Sequence, residues 1–390
     1  TWTEVAGKLW GTDAVLAGFP IDMQCDPRDS MRIFINNYIG GNFLSEDGGL
    51  TWRMASRGYT GALLRQVAVA ADDSAQVYSA SRMGTFISYN GGGDWQGTSF
   101  EPVREPEGVV VAVDPFDPDH IMEVLIDAGP DPAVSSDGGQ SWELVDTGLW
   151  ASELDISEMV TRIVFSAHTR DLVLATAGMR DCYAIPQACV ENGHGIIRSV
   201  DGGETWMLTS LADAQVFDLK ITDETTAYAA AYPDTVYRST DSGVTWDIVA
   251  QGIAPQIPDA NTDPDATEGP ILISVAVDPS DSNKLFAGFD RGGLLISSDG
   301  GWTWQVSAAG LAAEMSIIDI EADTANPGVF YLGSQDAGVY YSTDSGETWT
   351  VLNNGLSNRS IADLALSSDG SVLYAGTTGG GVFRLGRVAE

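Results

Sequence analysis

Four aspartates recur shortly before a repeated Ser-x-Asp motif, and this regular placement is the feature of the sequence that could carry chemistry. They lie five to eight residues before a motif serine and are Asp127, Asp234, Asp290 and Asp336. Tyr38 and Arg82 hold the corresponding places nearer the N-terminus, and Asp181 lies in an insertion. A ring of carboxylates with an aromatic and an arginine would suit sugar hydroxyls, a divalent ion or a cationic ligand. The alternative, which the sequence leaves open, is that these aspartates form solvated turns.

Two of these carboxylates could also hydrolyse a glycosidic bond. Retaining and inverting glycosidases both need a carboxyl pair roughly 5–9.5 Å apart, one of them with a raised pKa. The sequence does not say which two would pair, so catalytic residues stay unassigned. Other catalytic patterns are absent, because His120, His168 and His194 have no zinc-binding spacing and no Gly-x-Ser-x-Gly elbow occurs.

An eight-residue motif, Ser-x-Asp-x-Gly-x-Thr-Trp, must position these side chains. Its seven copies, some of them degenerate, end at Trp52, Trp95, Trp142, Trp206, Trp246, Trp304 and Trp349. Serine, aspartate and glycine favour a tight turn, because the carboxylate can accept hydrogen bonds from amides of its own turn and glycine supplies a positive φ. The tryptophan is then expected to begin the next strand.

The spacing of the motif predicts the architecture. Successive motif tryptophans are 40 to 64 residues apart, near the length of a four-stranded propeller blade. Apolar runs such as 109–121 and 273–288 mark eight inner strands independently. The chain opens with Trp2 in a motif-like context and ends in the middle of a unit near Phe383. We therefore predict an all-β fold, a single domain over 1–390, and one eight-bladed β-propeller whose last blade is closed by N- and C-terminal strands.

The octapeptides resemble Asp-box (BNR) repeats, which occur in sialidases, two-propeller xyloglucanases, photosystem II assembly factors and sortilin-type receptors. The resemblance covers the whole chain. It implies that each box is a structural turn between the outer two strands of a blade, away from the ligand-binding face. The structural aspartates are then Asp47, Asp137, Asp201, Asp241, Asp299 and Asp344. Asn90 takes the place of the aspartate in the second copy.

This chain departs from three of those families in its functional features. Sialidases use three arginines, one in an early Arg-Ile-Pro tripeptide, and the tripeptide is missing here. The stretch beginning at Tyr38 is similar to an early xyloglucanase motif, but Tyr38 stands where that family has a catalytic aspartate. Xyloglucanases also form their cleft between two propellers, and the assembly factors use a basic patch. The resemblance therefore predicts the fold and leaves the activity open.

Propeller geometry sorts the loops onto two faces. The box turns and the Asp-Pro turns share one face, which we call the motif face. The second-to-third-strand loops and the links between blades share the other, the loop face, where propeller ligands usually bind. Two insertions, 178–195 and 251–269, lengthen the loop face. Acids in the second insertion could bind calcium, but their spacing matches no EF-hand loop, so no cofactor is predicted and calcium stays an open alternative.

The net charge and the cysteines limit which partners and which cellular location can be expected. The chain has 55 acidic against 19 basic residues and a formal net charge of −36, which argues against nucleic acid as a partner. No apolar run approaches membrane-spanning length, so direct membrane insertion is not expected. Cys182 and Cys189 are predicted to form a disulfide, which indicates an extracellular, periplasmic or cell-surface location. Cys25 is expected to be a buried free thiol.

These observations favour a secreted or cell-surface propeller that acts as a binding or scaffold module and recognises a glycan or another protein. The alternative is a glycoside hydrolase or lyase that uses paired carboxylates of the loop face.

Overall fold

A computed structural model describes residues 20–37, 42–55, 63–71, 75–82, 84–98, 107–126, 132–145, 158–179, 195–212, 214–254, 270–307, 309–312 and 314–386. Within these ranges all regular secondary structure is β-strand, in eight antiparallel sheets. Seven sheets have four strands and the last has three. The all-β prediction is therefore confirmed. None of the described residues belongs to a helix that could cross a membrane.

The strands follow one another in chain order within every sheet. The first two sheets contain β1 (Pro20–Asp26), β2 (Asp29–Asn37), β3 (Asn42–Ser45) and β4 (Arg53–Met54), then β5 (Leu64–Val69), β6 (Val77–Ser81), β7 (Gly84–Ser88) and β8 (Gln96–Gly97). The next two contain β9 (Glu107–Asp114), β10 (Asp117–Ile126), β11 (Ala133–Ser135) and β12 (Glu143–Leu144), then β13 (Glu158–Phe165), β14 (Val173–Met179), β15 (Ile196–Ser199) and β16 (Met207–Leu208).

The remaining four sheets repeat the same arrangement. The fifth and sixth contain β17 (Val216–Ile221), β18 (Ala227–Ala231), β19 (Thr235–Ser239) and β20 (Asp247–Ala250), then β21 (Ile271–Asp278), β22 (Asp281–Asp290), β23 (Gly293–Ser297) and β24 (Gln305–Val306). The last two contain β25 (Ile317–Ala322), β26 (Phe330–Ser334), β27 (Gly338–Ser342) and β28 (Thr350–Val351), then β29 (Ile361–Leu366), β30 (Val372–Thr377) and β31 (Gly381–Gly386).

The core lies between the faces of neighbouring sheets. From the second sheet onward, the second strands are largely buried on both sides, as in the Ala-Tyr-Ala-Ala-Ala run of β18, because each of these sheets is covered by one neighbour on each face. In the first sheet, residues 29–34 of β2 are mostly exposed. The fourth strands are only two to four residues long and largely exposed, as β24 and β28 are. Short outer strands of this kind limit edge-to-edge association.

The first strands of seven sheets contact one another in a circle. The contacts run from β5 through β9, β13, β17, β21 and β25 to β29, and β29 contacts β5 again. The motif tryptophans follow the same order, since Trp142 packs against Tyr78 of the second sheet and Trp95 packs against Tyr374 of the last. The last sheet is therefore the neighbour of the second sheet.

The first sheet, β1–β4, stands apart from this circle. None of the clusters of buried apolar residues described for the chain includes one of its residues. Met23 and Met31 are 60% and 49% exposed. The predicted count of eight blades is therefore not confirmed, because the contacts close over seven sheets. The closing strand predicted around Trp2 lies outside the described residues.

The prediction for Cys25 is confirmed in one part and wrong in the other. Its side chain is a free thiol, as predicted, but it is exposed rather than buried. Cys25 belongs to β1, which, among the residues that the structure describes, packs closely only against β2 of its own sheet. The predicted Cys182–Cys189 bridge lies outside the described residues.

Candidate functional site

The motif aspartates bind the backbone of their own turns. In the first copy, the Asp47 carboxylate accepts hydrogen bonds from the Thr51 amide and hydroxyl, and the Ser45 hydroxyl accepts one from the Gly49 amide. Equivalent bonds form at Asp137, Asp201, Asp241, Asp299 and Asp344. The Thr51 hydroxyl and amide lower the pKa of Asp47 to about 2. A carboxylate bound in this way is ionised and has little capacity left for a ligand.

Three of the predicted loop-face acids also bond within their own neighbourhoods. The buried Asp234 accepts hydrogen bonds from the amides of Gly252 and Ala254 at 3.1 and 2.9 Å. These bonds fix the start of the link that follows β20. Asp234 therefore holds this loop in place. Both of its carboxylate oxygens are used in these two hydrogen bonds.

Asp290 and Asp336 lie in the loops after β22 and β26. Asp290 accepts a hydrogen bond from the Ser316 hydroxyl at 2.7 Å and lies 3.4 Å from the Arg291 guanidinium. Asp336 is exposed and accepts one from the Ser334 hydroxyl at 3.2 Å. Both carboxylates keep lone pairs that a partner could reach.

The other candidates are Arg82, which is exposed after β6, and three residues for which no structure is described. The Arg82 amide donates to the Leu63 carbonyl, which fixes the loop at the start of β5. Tyr38, Asp127 and Asp181 lie outside the described residues. The calcium alternative at Asp259, Asp263, Asp265 and Glu268 also lies outside them. Among the residues that the structure describes, no group of three or more His, Cys, Asp or Glu is arranged to hold a metal ion.

A charged cluster that the sequence reasoning missed lies where the first strands of the circle meet. A register shift interrupts all seven of these strands near their beginnings. In β9 the residue directly after the shift is Val110; in the other six it is polar, namely Gln66, Arg162, Asp218, Ser274, Asp319 and Asp363. Because each strand begins at a link between sheets, this polar ring lies toward the loop face.

Side chains of the polar ring join each sheet to the next. Asp218 accepts a hydrogen bond from the Val275 amide of β21 at 3.0 Å, and Asp319 accepts one from β29 at 3.1 Å. Asp363 accepts one from the Val67 amide of β5 at 2.9 Å, which closes the circle between the last and second sheets. Gln66 continues the pattern toward β9. These bonds satisfy amides that would otherwise be buried without partners.

Two cations balance the carboxylates of the ring. Arg162 Nε lies 2.9 Å from Asp218, and its terminal nitrogens lie 3.9 Å from Asp319 and from Asp363. One guanidinium therefore reaches carboxylates from three other sheets, so the centre of the circle is narrow at this level. Lys220 Nζ lies 3.4 Å from Asp319 and 2.6 Å from Glu321.

The ring carboxylates differ in their proton affinity. Burial raises the pKa of Asp218, but the charges of Arg162 and Lys220 outweigh it and hold that pKa below its usual value. Burial and the neighbouring Asp319 carboxylate raise the pKa of Asp363 well above its usual value. Burial likewise raises the pKa of Glu321 despite the nearby Lys220. The raised pKa values of Asp363 and Glu321 reflect burial together with the excess of four carboxylates over two cations in this cluster.

Two cavities of the described part lie away from this ring. One, of about 540 Å³, opens between the sheets β21–β24 and β25–β28 at the motif face. The other, of about 120 Å³, lies beside β31. The polar ring thus has the chemistry of a structural junction, and the loops above it form the exposed surface.

Comparison with known proteins identifies the fold. No protein-family model matches the chain, and no curated protein matches it. The structure of YCF48 bound to a D1 peptide is similar, with a TM-score of 0.59 and 14% identity, over 84% of this chain and 95% of that one. The WD40 repeats of RRP9 are similar with a TM-score of 0.56 and 13% identity, over 81% and 87% of the two chains.

A third similar structure is an enzyme, the GH74 protein of Niastella koreensis. Its TM-score is 0.47 and its identity 16%, over 93% of this chain and 64% of the enzyme. The likenesses to YCF48 and to the WD40 repeats of RRP9 are too distant in sequence to indicate more than a fold, and they show that this chain has a β-propeller fold.

Proposed function

We propose that this protein is a binding module that presents its loop face to a protein partner. The proposal rests on one observation: the carboxylates of the polar ring are already bound to other groups of this protein. Asp218, Asp319 and Asp363 each accept a backbone N–H from another strand or hold Arg162, and all three side chains are at most 6% exposed. A hydrolase needs carboxyl groups that face substrate in an open cleft.

A rigid circle with long loops on one face is a scaffold suited to recognition. YCF48, which shares the fold, is bound to a D1 peptide, so the fold is compatible with a peptide or protein ligand. The net charge of −36 favours a basic partner, since charge complementarity speeds encounter and excludes acidic competitors. Asp290 and Asp336 would contact such a partner, because both retain free lone pairs in loops of that face.

The test is binding of a panel of Lys- and Arg-rich peptides, measured by fluorescence anisotropy at low and physiological salt. We expect binding that weakens with salt and falls about two- to fivefold for each of Asp290→Asn and Asp336→Asn. Asp247→Asn is the matched control, because Asp247 is an exposed acid on the outer strand β20. Equal losses in all three variants would mean that only net charge matters and would refute a site on the loop face.

A second candidate function is a glycoside hydrolase or lyase, and one observation favours it. The pKa of Asp363 is raised and that of Asp218 is lowered around the same Arg162, and such divergence is typical of an acid and its partner carboxylate. Release of reducing ends from polysaccharides, abolished by Asp363→Asn in a folded variant, would establish this function in place of the first.

We further propose that the protein is exported and that Cys182 and Cys189 form a disulfide. The seven-residue spacing of the two cysteines allows a small ring, and such bridges persist in oxidising compartments. Mass spectrometry before and after reduction, with thiol alkylation, tests the bridge. A count of three free thiols in the native protein would remove the argument for export.

We also propose that the last sheet is completed by a fourth strand from the N-terminal segment of this chain. Support comes from the cavity beside β31, which is lined by apolar residues including Val339, Leu356, Leu373 and Phe383. In strand register Phe383 corresponds to Tyr340, which packs with Trp349 of the preceding sheet. The cavity thus corresponds to a slot for a motif tryptophan.

Trp2 has the sequence context to fill that slot, since Thr1-Trp2-Thr3 resembles Thr348-Trp349-Thr350. We expect Trp2→Ala to lower the melting temperature of the circle. Trp52→Ala is the control, because Trp52 belongs to the sheet outside the circle. An unchanged melting temperature in the Trp2 variant would exclude this strand as the occupant.

A further inference from the structure

Asparagine or aspartate followed by glycine is a dipeptide prone to spontaneous rearrangement. The backbone nitrogen of the glycine attacks the side-chain Cγ of the preceding residue and closes a succinimide ring. Glycine favours this attack because it has no side chain to restrict the backbone. Eight such dipeptides occur in the chain, and they begin at Asp47, Asn90, Asp137, Asn192, Asp201, Asp299, Asn354 and Asp369. Asn192 lies outside the described residues.

The fold holds six of these dipeptides in hydrogen bonds. Their glycine N–H groups donate to backbone carbonyls at 2.7–3.0 Å and belong to Gly48, Gly91, Gly138, Gly202, Gly300 and Gly370. In the second motif copy the Asn90 side chain is held as well. Its Oδ1 accepts from the Asp94 amide at 2.8 Å, and its Nδ2 donates to the Asp94 carboxylate at 3.1 Å. Ring closure at Asn90 therefore requires these bonds to open first.

The remaining dipeptide, Asn354–Gly355, is not held in this way. It lies in the turn after β28, where the Leu356 amide donates to the Asn353 carbonyl at 3.1 Å. No described residue forms a hydrogen bond with the Gly355 N–H or with the Asn354 side-chain amide. Both residues are exposed, and no atom beyond the chain neighbours lies within 4 Å of the place that a Cβ of Gly355 would take. The attacking nitrogen is thus free to approach Asn354 Cγ.

We propose that Asn354 is a deamidation site of the folded protein, whereas Asn90 is preserved by its turn. The Gly355 nitrogen attacks Asn354 Cγ, ammonia leaves, and water opens the succinimide to aspartate or isoaspartate. Either product adds a negative charge, and isoaspartate also lengthens the backbone by a methylene group. The reaction needs water and no other reactant.

The modification also acts on the neighbouring core. Leu356 directly follows the dipeptide, packs against the cluster that contains Val339 and Leu373, and lines the cavity beside β31. A longer backbone before Leu356 shifts this side chain relative to its neighbours. Deamidation therefore changes the wall of that cavity as the protein ages.

The test is peptide mapping by mass spectrometry while the native protein is incubated at neutral to mildly alkaline pH. Asn354 should deamidate at a rate close to that of a free peptide with the sequence of residues 353–356. Asn90 should react about tenfold or more slowly, because its turn must open first. Asn354→Gln is the matched variant, since glutamine would have to close a larger ring. It should lose the reaction at this position and keep the native melting temperature, because Asn354 is exposed.

The same measurement in urea separates the effect of the fold from that of the local sequence. In the unfolded chain Asn90 and Asn354 should deamidate at similar rates, because both precede a glycine and neither side chain is held. Faster reaction of Asn354 in the folded protein together with similar rates in urea supports the proposal. An Asn354 that stays intact as long as Asn90 in the folded protein, or a ratio of rates that urea leaves unchanged, overturns it.

Discussion

The pKa of Glu123 indicates whether water reaches the packed side chains between neighbouring sheets. Glu123 lies on β10, is fully buried, and neither carboxylate oxygen forms a hydrogen bond. Burial raises the pKa of Glu123 to about 8, and the nearby Thr85 hydroxyl lowers it only in part. At neutral pH the folded protein therefore holds this side chain as a neutral acid.

The sign of the pH dependence follows from the two pKa values. The ordinary pKa of a glutamate is 4.5, so between pH 4.5 and about pH 8 the unfolded chain has lost a proton that the folded chain keeps. The free energy of unfolding must then fall as pH rises through this window. The slope is about 1.4 kcal/mol per pH unit, and the whole loss is on the order of 5 kcal/mol.

Urea unfolding of the native protein and of Glu123→Gln at roughly pH 5, 7 and 9 tests this reasoning. The glutamine is neutral and of similar size, so the variant should lack this decline and be the more stable protein at high pH. Glu143→Gln, an exposed acid of the same sheet, should decline as the native protein does. If native protein and Glu123→Gln show the same pH dependence, Glu123 is hydrated and the packing argument fails.

Three further predictions follow from the same structure. Asp363→Ala removes the hydrogen-bond acceptor of the Val67 amide and leaves that buried N–H unsatisfied, which should cost about 1–3 kcal/mol in urea unfolding. Asp137→Asn should flatten the loss of stability between about pH 4 and 2, because the Ser141 hydroxyl and amide lower the pKa of Asp137 to about 2; acid titration by circular dichroism measures this. Trp349→Ala should cost about 3–5 kcal/mol, since this tryptophan is buried between two sheets.

The strands and turns could be predicted from the sequence because their causes are local. Each motif carries its own hydrogen bonds, so Ser, Asp and Trp at fixed spacing determine a turn and the next strand. Closure could not be predicted in this way. The copy ending at Trp52 has the same local pattern as the others, and nothing in it distinguishes a sheet outside the circle from one inside.

The polar ring was partly readable. Asp218, Asp319 and Asp363 each stand third in a first strand that begins with two apolar residues, and that recurrence was a signal. Their pairing with Arg162 could not be predicted, because the ion pairs join sheets that are distant in sequence. The loop-face aspartates were predicted instead, because of their spacing from the motif. That spacing indicates where a turn lies, but it does not indicate which carboxylate oxygens remain free to bind a ligand.

The account depends most on the closing contact between the last and second sheets, where the Ser368 hydroxyl donates to the Ala71 carbonyl. The direct measurement is cross-linking of Ala71→Cys and Ser368→Cys with a short bismaleimide, in a chain whose three native cysteines are serine. A circle of seven sheets predicts a rapid intramolecular cross-link, seen as loss of both thiols and one added linker mass. An eighth sheet between them would add about 10 Å, and two thiols that each take up a separate linker would contradict the account.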